Sequence, residues 1–216
     1  MLEQLIKGEE VTMPLMVMSL IAWGVVIERG YSFWMHSKID LKALRAEVVD
    51  LVQQKRILNA AQVCAATPSP VAAVMLAGLQ AYDRYRDPKT NVPHMNMVQK
   101  AMDDMSVQAV GALERRFNIL TTVGNSGPLL GMLGTVIGMI KSFSGLADSS
   151  GGVETGQVAA GISIALICTA TGLIVALCAV IPYNYFGGKA DEVGLQVEEA
   201  KSELYEILAE QEQARG

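Results

Sequence analysis

Two threonines, Thr135 and Thr169, stand where a hydroxyl could take part in chemistry at low polarity. Each flanks a stripe of small residues. Gly127, Gly131, Gly134 and Gly138 are spaced 4, 3 and 4 apart, and at about 100° per helical residue they fall within about 60° of one another. Gly161, Ala165, Cys168, Gly172 and Ala176 form a second such stripe. Thr135 and Thr169 hold matching places, each about 80° from the first glycine of its stripe. A hydroxyl donates and accepts hydrogen bonds but carries no charge. Two of them on matching edges of facing helices make a polar track. Such a track can bond an ionisable group but cannot replace one. The competing expectation is that each hydroxyl bonds the carbonyl of the preceding helical turn.

No Asp, Glu, Lys, Arg or His lies in the inner parts of these two segments, and Glu28 and Arg29 sit at a rim. If an ion moves here, a partner must bring the titratable group. His36 and His94 fall in polar surroundings and read as solvent-exposed rather than as ligands. Cys64, Cys168 and Cys178 read as small buried thiols, with no disulfide framework. GGKA at residues 187–190 lacks the rest of a phosphate loop, and no nucleophile–base set appears. The chain is expected to be neither an enzyme nor a binder of metal, cofactor or nucleic acid.

The elements that carry the stripes are apolar enough for a bilayer. Residues 117–140 and 155–188 contain no charge, and residues 11–27 form a shorter window of the same kind. About 20 apolar helical residues span a bilayer core. Glycine costs a helix interior about 1 kcal/mol relative to alanine. In lipid, close backbone approach between small faces offsets that loss, so GPLLGMLGTVIGMIKSF at residues 127–143 reads as a packing helix. Twelve of the 17 Lys and Arg lie between Arg29 and Arg116. The positive-inside rule places that stretch in the cytoplasm. Aromatic groups at Trp23, Tyr31, Phe33 and Trp34, and at Tyr183, Tyr185 and Phe186, suit the inner interface.

The predicted fold is an all-α membrane protein with three transmembrane helices per chain and long cytoplasmic helical extensions. Residues 1–12 form a periplasmic or interfacial segment and 13–35 the first span, with Pro14 in its first turn. Residues 36–116 form a cytoplasmic helical domain, 117–143 the second span, 144–157 a periplasmic loop and 158–186 the third span. Residues 187–216 form an acidic amphipathic helix. Within the cytoplasmic part, residues 40–64 read as one helix, TPSP at 67–70 as a break and DPKTNVP at 87–93 as a loop. The helix from about Met95 is expected to run unbroken through ALERRFNIL into the second span. GGK at 187–189 allows a bend or simply a weakened helix. The acidic helix packs on its neighbours, or pairs with the basic segment 38–56 of another subunit.

ALERRFNIL at 112–120, GPLLGMLGTVIGMIKSF at 127–143, AAGISIALICTATGLIVAL at 159–177, YNYF at 183–186 and IERGYSFW at 27–34 resemble the MotA/TolQ/ExbB proton-channel family, above all its ExbB/TolQ branch. The resemblance implies a pentameric homo-oligomer around a central pore in the bacterial inner membrane. Its N-terminus would be periplasmic and its C-terminus cytoplasmic. It implies an ExbD/TolR-like partner with one transmembrane segment and one essential membrane aspartate. Proton flow through that aspartate would drive work on a TonB/TolA-like periplasm-spanning protein. It also implies that Thr135 and Thr169 belong to the ion pathway, facing that acid. Two departures stand out. Ile164 occupies the place of the family's third-span glutamate, in GISIAL. Cys178 matches the family's third-span proline, with Pro182 one turn later, so the kink is expected at Pro182. Ile164 keeps open an alternative, a non-conducting oligomeric scaffold that anchors a partner protein. A stand-alone channel would need a titratable group at depth.

Overall fold

The computed structural model describes residues 9–37, 39–85, 93–147 and 155–213. The expected segment 1–12, the loop 144–157 and the loop 87–93 lie wholly or partly outside the described residues. Seven helices are described: α1 Glu9–Ser37, α2 Leu41–Gln53, α3 Ile57–Ala66, α4 Pro70–Arg84, α5 Met95–Glu114, α6 Phe117–Ala147 and α7 Thr155–Gln213. The chain divides into two compact units. One comprises the chain up to Gly30 and from Arg116 to Phe186; the other comprises Tyr31–Arg115 and the chain from Gly187 onward.

The first unit contains α1 up to Gly30, α6 and the first half of α7. Among the described residues, three helices are long and apolar enough to cross a membrane, over Val11–Met35, over Phe117–Ser144 and from Val158 onward. Only 28%, 28% and 33% of their most apolar windows are buried within the chain. Outward side chains such as Leu20, Ile27, Leu129, Leu166 and Ile181 would be unstable in water as one surface, and they suit lipid or protein neighbours. The inner contacts gather Ala22 and Val25 of α1 with Leu120, Val123, Val175 and Ala179. At one end, Glu28 pairs with both Arg29 and Arg116. The Phe117 and Tyr183 rings meet edge to face nearby, 6.0 Å apart.

The second unit has a water-type core. Val48, Val52, Val71, Met75, Leu79, Tyr82, Met102, Leu204 and Leu208 are fully or almost fully buried. Each such side chain contributes about 1.5–3 kcal/mol relative to exposure. Asp40 starts α2, its carboxylate accepting from the Lys42 and Ala43 amides at 3.1 Å. Pro70 opens α4 at its first position.

The single helix expected over residues 40–64 is two helices. Val48 and Val52 point one way, while Ile57 and Cys64 lie about 120–140° round from Val52 at about 100° per residue. The chain re-phases at residues 54–56. Lys55 takes a left-handed φ of 61°, and the Arg56 amide bonds the Leu51 carbonyl at 2.9 Å. Both halves can then face one core. The expected continuity from α5 into α6 also fails. Arg116 adopts φ 73° between Glu114 and Phe117. By contrast, α7 runs unbroken through Gly187 and Gly188, with Pro182 inside it. Pro182 cannot donate to the Cys178 carbonyl, so one backbone bond is missing there.

The acidic second half of α7 packs within its own chain. Val197, Ala200, Leu204 and Leu208 enter the core. Arg45 meets Glu199 and Glu203, each at 2.8 Å, and Lys201 meets Asp103 at 2.9 Å. Burial works against the Arg45 charge, but the two carboxylates outweigh it and raise its pKa above the ordinary value.

Candidate functional site

The site is built where α6 meets α7. Cβ atoms placed on the glycines show how close the backbones come. One on Gly127 would lie 2.9 Å from the Gly172 carbonyl oxygen, and one on Gly131 3.1 Å from the Thr169 Cα. On Gly134 it would lie 2.8 Å from the Cys168 Cβ, and on Gly138 2.8 Å from the Ala165 Cβ. In return, a Cβ on Gly172 would lie 2.6 Å from the Gly127 oxygen, and one on Gly161 would overlap the Ser142 hydroxyl. Ala176 sits 3.3 Å from the Gly127 position. As numbers rise along α6 they fall along α7, so the pair is antiparallel. All eight small residues, Gly127, Gly131, Gly134, Gly138, Gly161, Ala165, Gly172 and Ala176, lie in this one seam. Lipid provides no hydrophobic drive to join helices, so the backbone contact itself holds the pair.

The two threonines behave differently. Thr135 donates to the Met132 carbonyl of its own helix at 2.6 Å. Thr169 donates across the seam to the Gly131 carbonyl at 3.1 Å. Gly131 makes that bond possible, because a side chain there would keep Thr169 away. Both threonines are half-buried. In an antiparallel pair, the residue one past the contact falls on the same edge of both helices. Thr135 follows Gly134 and Thr169 follows Cys168, and Gly134 faces Cys168. The two hydroxyl residues therefore share one layer and one edge.

That edge is not the one α1 covers. Val123 and Val175, which pack with α1, stand about 120° round their helices from Thr135 and Thr169 respectively. The Thr12 hydroxyl approaches the Cys168 sulfur at 3.8 Å on the α1 side. Ile164 is half-buried and falls within about 20° of Val175, away from Thr169. Beside the threonines stand exposed side chains: Met132, Met139, Ile162, Leu166 and Leu173. The hydroxyl edge is open within the chain, and Ile164 lies on the other side of it.

The sequence could not show which acceptor Thr169 takes, since that depends on the register between the helices. It also gave no sign of the Glu28–Arg116 pair, whose members are 88 residues apart. Among the described residues, no cluster of three or more His, Cys, Asp or Glu could hold a metal ion.

The MotA/TolQ/ExbB proton channel family matches residues 66–199, which include the whole α6–α7 seam. The chain is 32% identical over 191 residues to an ExbB-like biopolymer transport protein of Synechocystis, covering 85% of this chain and 69% of that one. It is 30% identical over 194 residues to the Tol-Pal system protein TolQ of Pseudomonas aeruginosa, covering 87% and 83%. Against the biopolymer transport protein ExbB of Pseudomonas putida it is 26% identical over 205 residues, covering 92% and 59%. With matches of this extent falling on the glycine seam and its threonines, the chain belongs to the MotA/TolQ/ExbB proton channel family.

Proposed function

We propose that the chain is the oligomeric subunit of an ion-driven energiser in a bacterial inner membrane. Copies assemble, as a pentamer, around a pore that holds an ExbD/TolR-like partner. The partner's single transmembrane segment carries an aspartate. Thr135 and Thr169 form the ion pathway, offering hydroxyls to that carboxyl as it gains and loses its proton. The work passes to a TonB/TolA-like periplasm-spanning protein, for biopolymer transport or envelope maintenance. One charge crossing 100 mV releases about 2.3 kcal/mol, so a few protons suffice for a conformational step. Charge distribution supports a cytoplasmic middle region and C-terminus and a periplasmic N-terminus.

One observation carries this reading. The seam leaves both threonines on an edge that neither α1 nor the hairpin fills, with no charged residue beside them. Among the described residues, this edge supplies hydroxyls and no acid. The isoleucine at 164 does not remove that edge. The test is Thr135→Val and Thr169→Val in the complex with its single-span partner. Loss of proton-dependent work with an intact oligomer is expected. Unchanged proton-dependent work in both variants would remove the two threonines from the ion pathway.

A further inference from the structure

Both threonine protons are already in use. A hydroxyl has one O–H donor and two acceptor lone pairs. Thr135 gives its donor to the Met132 carbonyl at 2.6 Å, and Thr169 gives its donor to the Gly131 carbonyl at 3.1 Å. A carbonyl oxygen only accepts, so the direction of each bond is fixed. What remains for a ligand at that edge is lone pairs alone. Ser142, farther along α6, is used in the same way on the Gly138 carbonyl at 2.8 Å. The exposed neighbours Met132, Met139, Leu166 and Leu173 have no side-chain N–H or O–H to add.

Charges stand away from this layer. Residues 155–188 of α7 carry none. On α6, Lys141 comes six residues after Thr135, about 9 Å along the axis at 1.5 Å per residue. Arg116 precedes Thr135 by 19 residues, about 28 Å on the same rise. The α1 helix packs on the other edge, and its Glu9 and Glu10 come shortly before Thr12, the residue that meets Cys168.

A layer with acceptors and no spare donor tells the two forms of a carboxyl group apart. The neutral acid brings its own O–H and can donate it to either threonine oxygen without disturbing an existing bond. A carboxylate only accepts. To be held, it must draw a threonine proton off its carbonyl and enter a wall of methionine and leucine with no cation in the layer. The loss of hydration there is large. Hydrogen bonding to the neutral form and exclusion of water act in the same direction.

We infer that the Thr135–Thr169 layer receives the carboxyl of the partner's transmembrane segment with its proton on. The layer is a station for the neutral acid and a barrier to the carboxylate. The inference rests on the proposed ion pathway, and it adds which protonation state that pathway holds at this depth.

The test is infrared titration of the full complex in lipid. The C=O stretch of the protonated carboxyl is followed against pH. It is assigned by its loss when the partner's membrane aspartate is changed to asparagine. Half-protonation is expected well above the ordinary aspartate value of about 3.9. Valine keeps the shape of threonine and removes the acceptor. In Thr135→Val with Thr169→Val the midpoint should therefore fall by about one pH unit, a roughly tenfold weaker hold on the proton. Thr135→Ser with Thr169→Ser should leave it in place. A midpoint that rises in the valine variant means that the threonines donate to the carboxylate, and overturns the inference, as does an unmoved midpoint. A midpoint that shifts when sodium replaces a bulky organic cation assigns the lone pairs to a sodium ion, and also overturns it. Should the double variant not assemble, Thr169→Val alone carries the comparison. The two readings fail separately. An unmoved midpoint with proton-dependent work intact removes the ion pathway as well. A raised or unmoved midpoint with work lost leaves the pathway standing and removes only its preference for the neutral acid.

Discussion

Thr169 and Gly131 make one device: a hydroxyl reaches the opposing backbone only because no side chain stands between. Thr169→Val keeps the shape and removes the donor. Membrane hydrogen bonds average about 0.6 kcal/mol, so the hairpin should weaken slightly while Thr169→Ser retains its stability. Denaturant titration of the purified complex in detergent reads this. Cys64 makes a prediction of a different kind. Burial, and secondarily the Glu47 charge, pushes its pKa from the ordinary 9.0 up to about 11. The fold therefore holds the neutral thiol. Its contribution to stability is complete below about pH 9 and is lost as pH rises through about 11. Stability should fall over that window more steeply in the native chain than in Cys64→Ala. At pH 8 a thiol reagent should label Cys64 only after unfolding. Thr135 and Thr169 were legible in the sequence as a matched pair, since both follow from spacing. Their unequal hydrogen bonds were not, because they depend on which carbonyl the neighbouring helix brings opposite.

Glycines divide by what surrounds them. A Cβ on Gly172 would meet backbone, and one on Gly78 would lie 2.6 Å from Met102 Sδ and 3.2 Å from Leu204 Cδ2. A Cβ on Gly24, Gly111 or Gly194 would meet nothing within 4 Å. Gly111→Ala and Gly194→Ala should each stabilise the chain by about 0.5–1 kcal/mol through helix propensity. Gly78→Val should cost about 1–3 kcal/mol by overpacking, and Gly172→Leu should prevent the α6–α7 pair from forming. Thermal unfolding of the four variants orders them. The helical spans were legible because their apolar runs are long. The breaks at residues 54–56 and at Arg116 were not, because no Gly or Pro marks them. The first follows from the shift in apolar phase between Val52 and Ile57. At the second, a non-glycine residue takes φ 73° between Arg115 and Phe117, against local preference.

For the whole molecule, the acidic end of α7 has its basic partners in the same chain. Arg45→Glu should destabilise the second unit, and Glu199→Arg with Glu203→Arg should restore part of the loss. These pairs are partly exposed, so each is worth about 0.5–1 kcal/mol and weakens with salt. Melting the single and combined variants at low and high ionic strength checks the coupling. The seam between α6 and α7 has a further consequence. The six glycines and two alanines of the seam are turned inward, and the outer wall beside the threonines is left to Met132, Met139, Leu166 and Leu173. Methionine and leucine surfaces are pliant and offer no deep notch. Under the proposed function, a transmembrane rod seated against such a wall meets no ratchet teeth and swivels past it like a shaft in a greased sleeve.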